Sequence, residues 1–255
     1  MLENNPVSKS LPKIYGMSSC SEAADNVFAP SLFLFGCNLR CPYCMNSKLV
    51  VSKPDVDDVD EIPFDEVKRR LEEDDSEWVM VSGGEPVMSD TEKLIDLLLE
   101  IESLGKKRGI STNGTFPNRL ADILPYVNYV TMDLKTCYEE GYKEIHMLED
   151  ALYVLESIQQ SQGELRHDKS FRNDFDYEYR TTLYPGMVTL ATLNGILGTF
   201  SIQRDEKWVL QQFRHAQNML DPKEAKKFSP YKPKEIEVFL DFARKYVDNV
   251  SLRYV

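Results

Sequence analysis

Short, nearly continuous apolar runs alternate along the chain with longer stretches in which apolar residues return every three or four positions. The short runs predict strands at Ser31–Gly36, Trp78–Ser82, Arg108–Thr112, Tyr129–Leu134, Tyr177–Leu183 and Trp208–Phe213, with a short terminal strand at Val250–Val255. Runs of this kind are expected where both faces of a strand are covered. Between them lie the helical patterns. Leu94, Leu97, Leu98, Ile101 and Leu104 build one apolar face behind Ser89, which with Glu92 reads as a capping box, and Gly105 is placed to end the helix. A second helix is predicted from Pro117, with Leu120, Ile123 and Leu124 inward. A third carries Leu148, Ala151, Leu152, Leu155 and Ile158 inward. A weaker pattern at Val188–Leu197 is interrupted by Gly195 and Gly198. The last helix starts at Pro233, a favoured first-turn residue, and buries Ile236, Phe239, Leu240, Ala243 and Tyr246.

Strand then helix, repeated about six times, predicts a parallel α/β architecture. Two connections are long. Ser161–Asp176 is polar and reads as a loop, and Leu220–Lys232 carries Pro222 and Pro230. There is no repeat of fixed period and no linker-like change of composition. The expected organisation is a polar N-terminal extension, residues 1–29, followed by one domain over residues 30–255.

Composition narrows the function classes. Of 255 residues, 42% are hydrophobic, enough for a sizeable core. The net charge of −12 disfavours a nucleic-acid partner, and the one dense charged run, Asp55–Glu61, is acidic and reads as a solvated loop. No apolar run reaches the ~18–20 residues that span a bilayer, so no membrane partner is expected. The first 29 residues lack the apolar core of a secretory signal, which points to the cytoplasm.

Three of the five cysteines, Cys37, Cys41 and Cys44, stand within eight residues directly behind a predicted strand, while Cys20 and Cys137 are isolated. This grouping reads as a metal centre rather than a disulfide framework. Cys20 reads as a loop thiol and Cys137 as a half-buried filler. Four-iron clusters usually take four Cys ligands, so three leave one iron open, as catalytic metal sites do. The alternative is structural zinc with a histidine as fourth ligand, for which His146, His167 and His215 are remote in sequence.

Cys37-x3-Cys41-x2-Cys44, with Tyr43 just before the third Cys, resembles the signature of the radical S-adenosylmethionine (SAM) superfamily. Further likenesses follow at each strand end. These are Gly83-Gly84-Glu85-Pro86, Ser111-Thr112-Asn113-Gly114, Asp133-Leu134-Lys135, Tyr179-Arg180-Thr181-Thr182 with Tyr184-Pro185-Gly186, and Trp208–Phe213. The set covers roughly residues 30–250 and is most like activating enzymes of glycyl radical enzymes, in particular anaerobic ribonucleoside-triphosphate reductase activating proteins. The resemblance implies a partial (β/α)6 TIM-type barrel with its site at the carboxyl ends of the strands.

It further implies that Cys37, Cys41 and Cys44 ligate a [4Fe-4S] cluster and that the Tyr43 ring, or its backbone, lies beside the adenine of SAM. Gly83, Gly84 and Glu85 would hold the methionine amino group. Asn113, Asp133 and Lys135 would contact the ribose or carboxylate. Arg180 is suited to a carboxylate, its alternative being a surface salt bridge. The implied reaction is reductive cleavage of SAM to a 5′-deoxyadenosyl radical, with an electron from flavodoxin or ferredoxin, to install a glycyl radical on a partner enzyme. The alternatives are a radical SAM enzyme acting on a small molecule or RNA nucleotide, and a non-catalytic iron–sulfur or zinc protein.

The chain departs from formate-lyase activators. Asn26-Val27-Phe28-Ala29-Pro30 replaces their Asp-Gly-Pro-Gly, Met45 their His, and Ser111 the Asp at which a monovalent cation is expected. Met45–Ser82 holds no Cys, so no auxiliary cluster is expected.

Overall fold

The computed structural model describes residues 11–22, 28–51, 60–145 and 151–254. Eight strands form one sheet in sequence order: β1 (Ile14–Glu22), β2 (Phe28–Leu34), β3 (Trp78–Gly83), β4 (Lys107–Thr112), β5 (Tyr129–Asp133), β6 (Asp176–Leu183), β7 (Lys207–Gln212) and β8 (Asn249–Arg253). β1 runs antiparallel to β2, and every later pairing is parallel. Each strand from β2 to β7 is followed by helix. The helices are α1 (Ser47–Val51), α2 (Phe64–Glu72), α3 (Thr91–Ser103), α4 (Pro117–Ile123), α5 (Glu139–Ile145), α6 (Ala151–Phe171), α7 (Leu190–Phe200), α8 (Pro222–Ala225) and α9 (Pro233–Ala243). Six strand–helix units thus lead to a closing strand β8. Among the described residues β8 and β1 do not pair, so the barrel is partial and open between them.

Strand alternation divides the molecule. Leu32 and Leu34 of β2, Val79 and Val81 of β3, and Trp208 and Leu210 of β7 point outward into the core beneath the helices. Their neighbours Ser31, Phe33, Met80, Ser82 and Gln211 line an inner cavity. The α3 face assembles as its spacing predicts, with Leu94, Leu97, Leu98 and Ile101 buried. Gly105 ends it at φ +73°, a conformation that favours glycine.

Several local expectations are corrected. Asp90, not Ser89, caps α3, its carboxylate accepting from Lys93 N–H at 3.1 Å. Ser89 instead closes the preceding 3₁₀ turn, Pro86–Met88. β1 lies within the stretch read as a polar extension, and its mixed sequence hides an edge strand. Cys20 is therefore in a strand rather than a loop, though its side chain is outside the described residues. Residues 161–171, expected as loop, continue α6, because polar side chains serve as its inward face. Ser161 is buried and donates to Gly114 O at 2.8 Å, and Arg166 pairs with Glu206 at 2.8 Å. Leu152 and Tyr246, expected inside, are about half exposed. His146, Leu148, Asn26, Val27 and residues 55–59 lie outside the described residues, as does the side chain of Ala151.

Cys137 is buried as a packing residue, and it explains the first of the two glycines in α7, Gly195. A Cβ on Gly195 would stand 2.2 Å from the Cys137 sulfur.

Candidate active site

The carboxyl end of β2 turns at Gly36 (φ +92°) into the cysteine loop. The loop closes tightly, Cys44 N–H donating to Cys41 O at 3.0 Å. It is tied down from three sides. Arg40 folds back onto the carbonyls of Cys37 and Leu39 at 2.6 and 2.9 Å. Leu220 and Asp221 donate N–H to Cys44 O and Pro42 O at 2.9 and 3.0 Å. Asn46 donates to Gly83 O at 2.8 Å, joining the loop to the end of β3.

Beside the loop the glycines answer to backbone contact. A Cβ on Gly83 would lie 2.4 Å from Leu34 O, and one on Gly84 2.0 Å from Gly36 O. Gly84 and Glu85 donate N–H to Leu34 O and Gly36 O at 3.0 and 2.7 Å, so no side chain fits between the two turns.

A cavity of about 560 Å³ opens at these strand ends. All eleven residues singled out from the sequence line it: Cys37, Cys41, Tyr43, Cys44, Gly83, Gly84, Glu85, Asn113, Asp133, Lys135 and Arg180. Asn38, Asn46 and Thr115, which hold these groups in place, were missed. An amide beside a cysteine in a tight loop with bare backbone carbonyls is the available signal for the first two.

The electrostatics differ around the wall. Asp133 Oδ1 accepts from Arg180 Nε at 2.7 Å and Oδ2 from Lys135 Nζ at 3.0 Å, all three side chains being largely buried. Burial alone would push the Asp133 carboxyl up, but the Arg180 and Lys135 charges outweigh it and hold it well below the usual carboxylate range. Arg180 is therefore not a surface salt bridge. Its cross-strand partner is Asp133, and the trio keeps one excess positive charge.

Glu85 has only neutral partners. Its carboxylate accepts from Val87 N–H (3.1 Å), the Thr112 hydroxyl (2.8 Å) and Asn113 N–H (2.6 Å). Burial nevertheless prevails and pushes it up to about 7. Three donors occupy most of the roughly four acceptor directions of a carboxylate, leaving one toward a ligand. Asn113 turns its amide onto Asn38, at 2.9 Å.

Tyr43 packs at 4.8 Å from the Tyr184 ring and 6.4 Å from that of Phe213. Its buried hydroxyl finds no hydrogen-bond partner among the described residues. Burial pushes the Cys37 thiol up to about 12 and the Cys41 thiol to about 11, and raises that of Cys44.

The sequence profile of the Radical SAM superfamily matches residues 31–164, more than half of the chain. The chain belongs to this superfamily. It is a radical SAM enzyme, and the superfamily uses a [4Fe-4S] cluster and SAM. One relative is the Methanocaldococcus jannaschii protein MJ1227, provisionally named a glycyl-radical enzyme activating enzyme. It is 29% identical over 236 residues, covering 88% of each chain. Among solved structures, TYW1 with a lysine–pyruvate adduct is similar in fold, with a TM-score of 0.57 at 13% identity, covering 86% of this chain and 73% of that one. Streptococcus suis SuiB bound to S-adenosylmethionine gives a TM-score of 0.52 at 14% identity. It covers 88% of this chain, which spans only 45% of SuiB.

The residues present fit both cofactors. Three thiols with raised proton affinity, Cys41 buried and Cys37 and Cys44 partly buried, need a neighbouring cation to become thiolates, which iron would supply. Among the described residues no three Cys, His, Asp or Glu converge as ligands of one ion. A four-iron cluster distributes its thiolates over separate irons, so it does not need the three thiols to converge on one ion. His167 and His215 are exposed and are not among the residues that line the cavity, although the His215 ring packs 5.2 Å from that of Phe213, which does. An orphaned Tyr43 hydroxyl and an excess positive charge suit a polar ligand bearing a carboxylate.

Proposed function

We propose that this radical SAM enzyme installs a glycyl radical on a partner enzyme of the anaerobic ribonucleotide reductase kind, with Cys37, Cys41 and Cys44 holding the [4Fe-4S] cluster. The observation that carries this reading is the similarity to the Methanocaldococcus jannaschii protein over 88% of both chains. When bound, the cluster and SAM supply a one-electron cleavage that yields a 5′-deoxyadenosyl radical.

The chain's own part is binding, orientation and exclusion of water. Arg180 and Lys135, jointly one charge in excess of Asp133, receive the carboxylate of SAM. The backbone of Gly83 and Gly84 and the remaining acceptor direction of Glu85 face its ammonium. Tyr43, backed by Tyr184, lies beside the adenine. Asn113 contributes to the ribose side chiefly through the turn it stabilises, since its amide is engaged by Asn38.

A peptide loop carrying the target glycine enters between β1 and β8, where the sheet does not close. Phe28, at the start of β2, and Tyr254, just after β8, are both largely exposed and line the cavity. Flavodoxin or ferredoxin supplies the electron, and the enzyme works in the cytoplasm, in keeping with the absence, among the described residues, of any helix long and apolar enough to cross a membrane.

The test is anaerobic incubation of the reconstituted enzyme with SAM, dithionite and a candidate anaerobic ribonucleotide reductase, read by electron paramagnetic resonance. A glycyl radical doublet on the reductase that disappears in Cys37→Ala, Cys41→Ala and Cys44→Ala supports the reading. SAM cleavage without the doublet rejects this substrate and redirects the search to small molecules or RNA nucleotides.

A further inference from the structure

The cysteine loop meets the carboxyl end of β4 through a closed ring of three side chains. Asn38 Nδ2 donates to Thr115 Oγ1 at 2.8 Å, Thr115 Oγ1 donates to Asn113 Oδ1 at 2.6 Å, and Asn113 Nδ2 donates back to Asn38 Oδ1 at 2.9 Å. Thr115 N–H adds a fourth bond to Asn113 Oδ1 at 3.0 Å. Asn113 and Thr115 are buried, and each member both gives and receives, so the bonds polarise one another in the same sense. The ring continues into the neighbouring wall, because Asn113 N–H donates to Glu85. The cysteine loop, the turn after β3 and the end of β4 therefore share one network.

The loop's other ties run to other elements: Glu85 N–H donates to Gly36 O at 2.7 Å, just before Cys37, and Arg40 N–H donates to Ile145 O at 2.5 Å. Leu220 and Asp221 hold Cys44 and Pro42, and Asn46 reaches Gly83 from behind Cys44. On the Cys37 side, the ring is what joins the loop to β4.

We propose that Asn38 is a positioning residue for SAM. Through Thr115 and Asn113 it joins the Cys37 end of the loop to β4, adding a side-chain tie to the Glu85–Gly36 backbone bond that sets its register with the turn at Gly83–Glu85. A ligand that must meet the cluster and the β3–β4 wall together then finds both surfaces preset. The amide of Asn113 serves this ring. The inference concerns the cofactors alone and is independent of the partner enzyme.

The test uses the anaerobically reconstituted holoenzyme and three variants: Asn38→Ala, Thr115→Val, which keeps the shape and removes the hydroxyl, and Thr115→Ser, which keeps the hydroxyl. Iron and sulfide content, the resonance spectrum of the reduced cluster with and without SAM, and the SAM dissociation constant are measured. Expected are wild-type iron content in Thr115→Val, SAM binding weakened about fivefold or more in Asn38→Ala and Thr115→Val, an altered SAM-dependent spectrum in both, and recovery in Thr115→Ser. If Asn38→Ala fails to hold a cluster, Thr115→Val decides, since it leaves the loop sequence intact. Wild-type affinity and spectrum in folded Thr115→Val would overturn the proposal, as would equal loss in Thr115→Ser.

Discussion

Asp133 and Glu85 face the same cavity from the ends of β5 and β3, and both carboxylates are largely buried. Asp133 is met by two cations, Arg180 and Lys135, whereas Glu85 is met by two backbone N–H groups and a hydroxyl. Two full charges overcome the desolvation of the first, while three dipoles do not overcome that of the second, which remains raised to about 7. The first arrangement builds a charged surface for a ligand. The second builds a junction between backbone segments.

The largest effect is expected from breaking the charged side. Asp133→Asn strands Arg180 and Lys135 without their counter-charge and should cost ~3 kcal/mol, read as a lower denaturation midpoint in urea. Asp133 also has a folded pKa below its ordinary 3.8. Its contribution to stability is thus present above that value and lost as pH falls toward and through its depressed folded pKa.

Glu85 should behave in the opposite sense and in another pH window. The folded protein keeps a proton on Glu85 between its ordinary 4.5 and about 7, where the unfolded chain has lost it. The stability of the cluster-free protein should therefore decline as pH rises through that range, by roughly 3 kcal/mol in total. Glu85→Gln should flatten this part of the profile in thermal melts from pH 4 to 8. An unchanged slope would mean that the three donors compensate the charge fully.

The smallest effect sharpens the junction. Thr112→Val removes one donor from Glu85 and should cost ~1 kcal/mol near neutral pH, with the declining limb of the profile moved to higher pH. The same substitution leaves the two bonds that join Asp133 to Arg180 and Lys135 untouched, so the acid limb should not move.

Much of this architecture was legible in the residues. Apolar runs located β2 to β7, the face of α3 followed from its spacing, and Cys37-x3-Cys41-x2-Cys44 marked the loop that lines the cavity. What remained hidden has a common cause, because its residues are polar and gain their place from distant partners. α6 continues past Gln160 because Ser161 reaches Gly114 and Arg166 reaches Glu206 across 47 and 40 residues. β1 escaped notice because an antiparallel edge strand needs a partner more than an apolar run.

The sequence by itself determined the chemistry at the strand ends. The spacing of three thiols, a glycine pair behind a strand and charged residues closing apolar runs are covalent facts. Only the tertiary structure decided how those residues are used. Gly83 and Gly84 are glycines because Leu34 and Gly36 lie against them, Glu85 is a junction because three donors converge on it, and the Asn113 amide is engaged because Asn38 lies within reach of it. Hydrogen-bond partners and close contacts depend on which segments the fold brings together, and no local pattern records that.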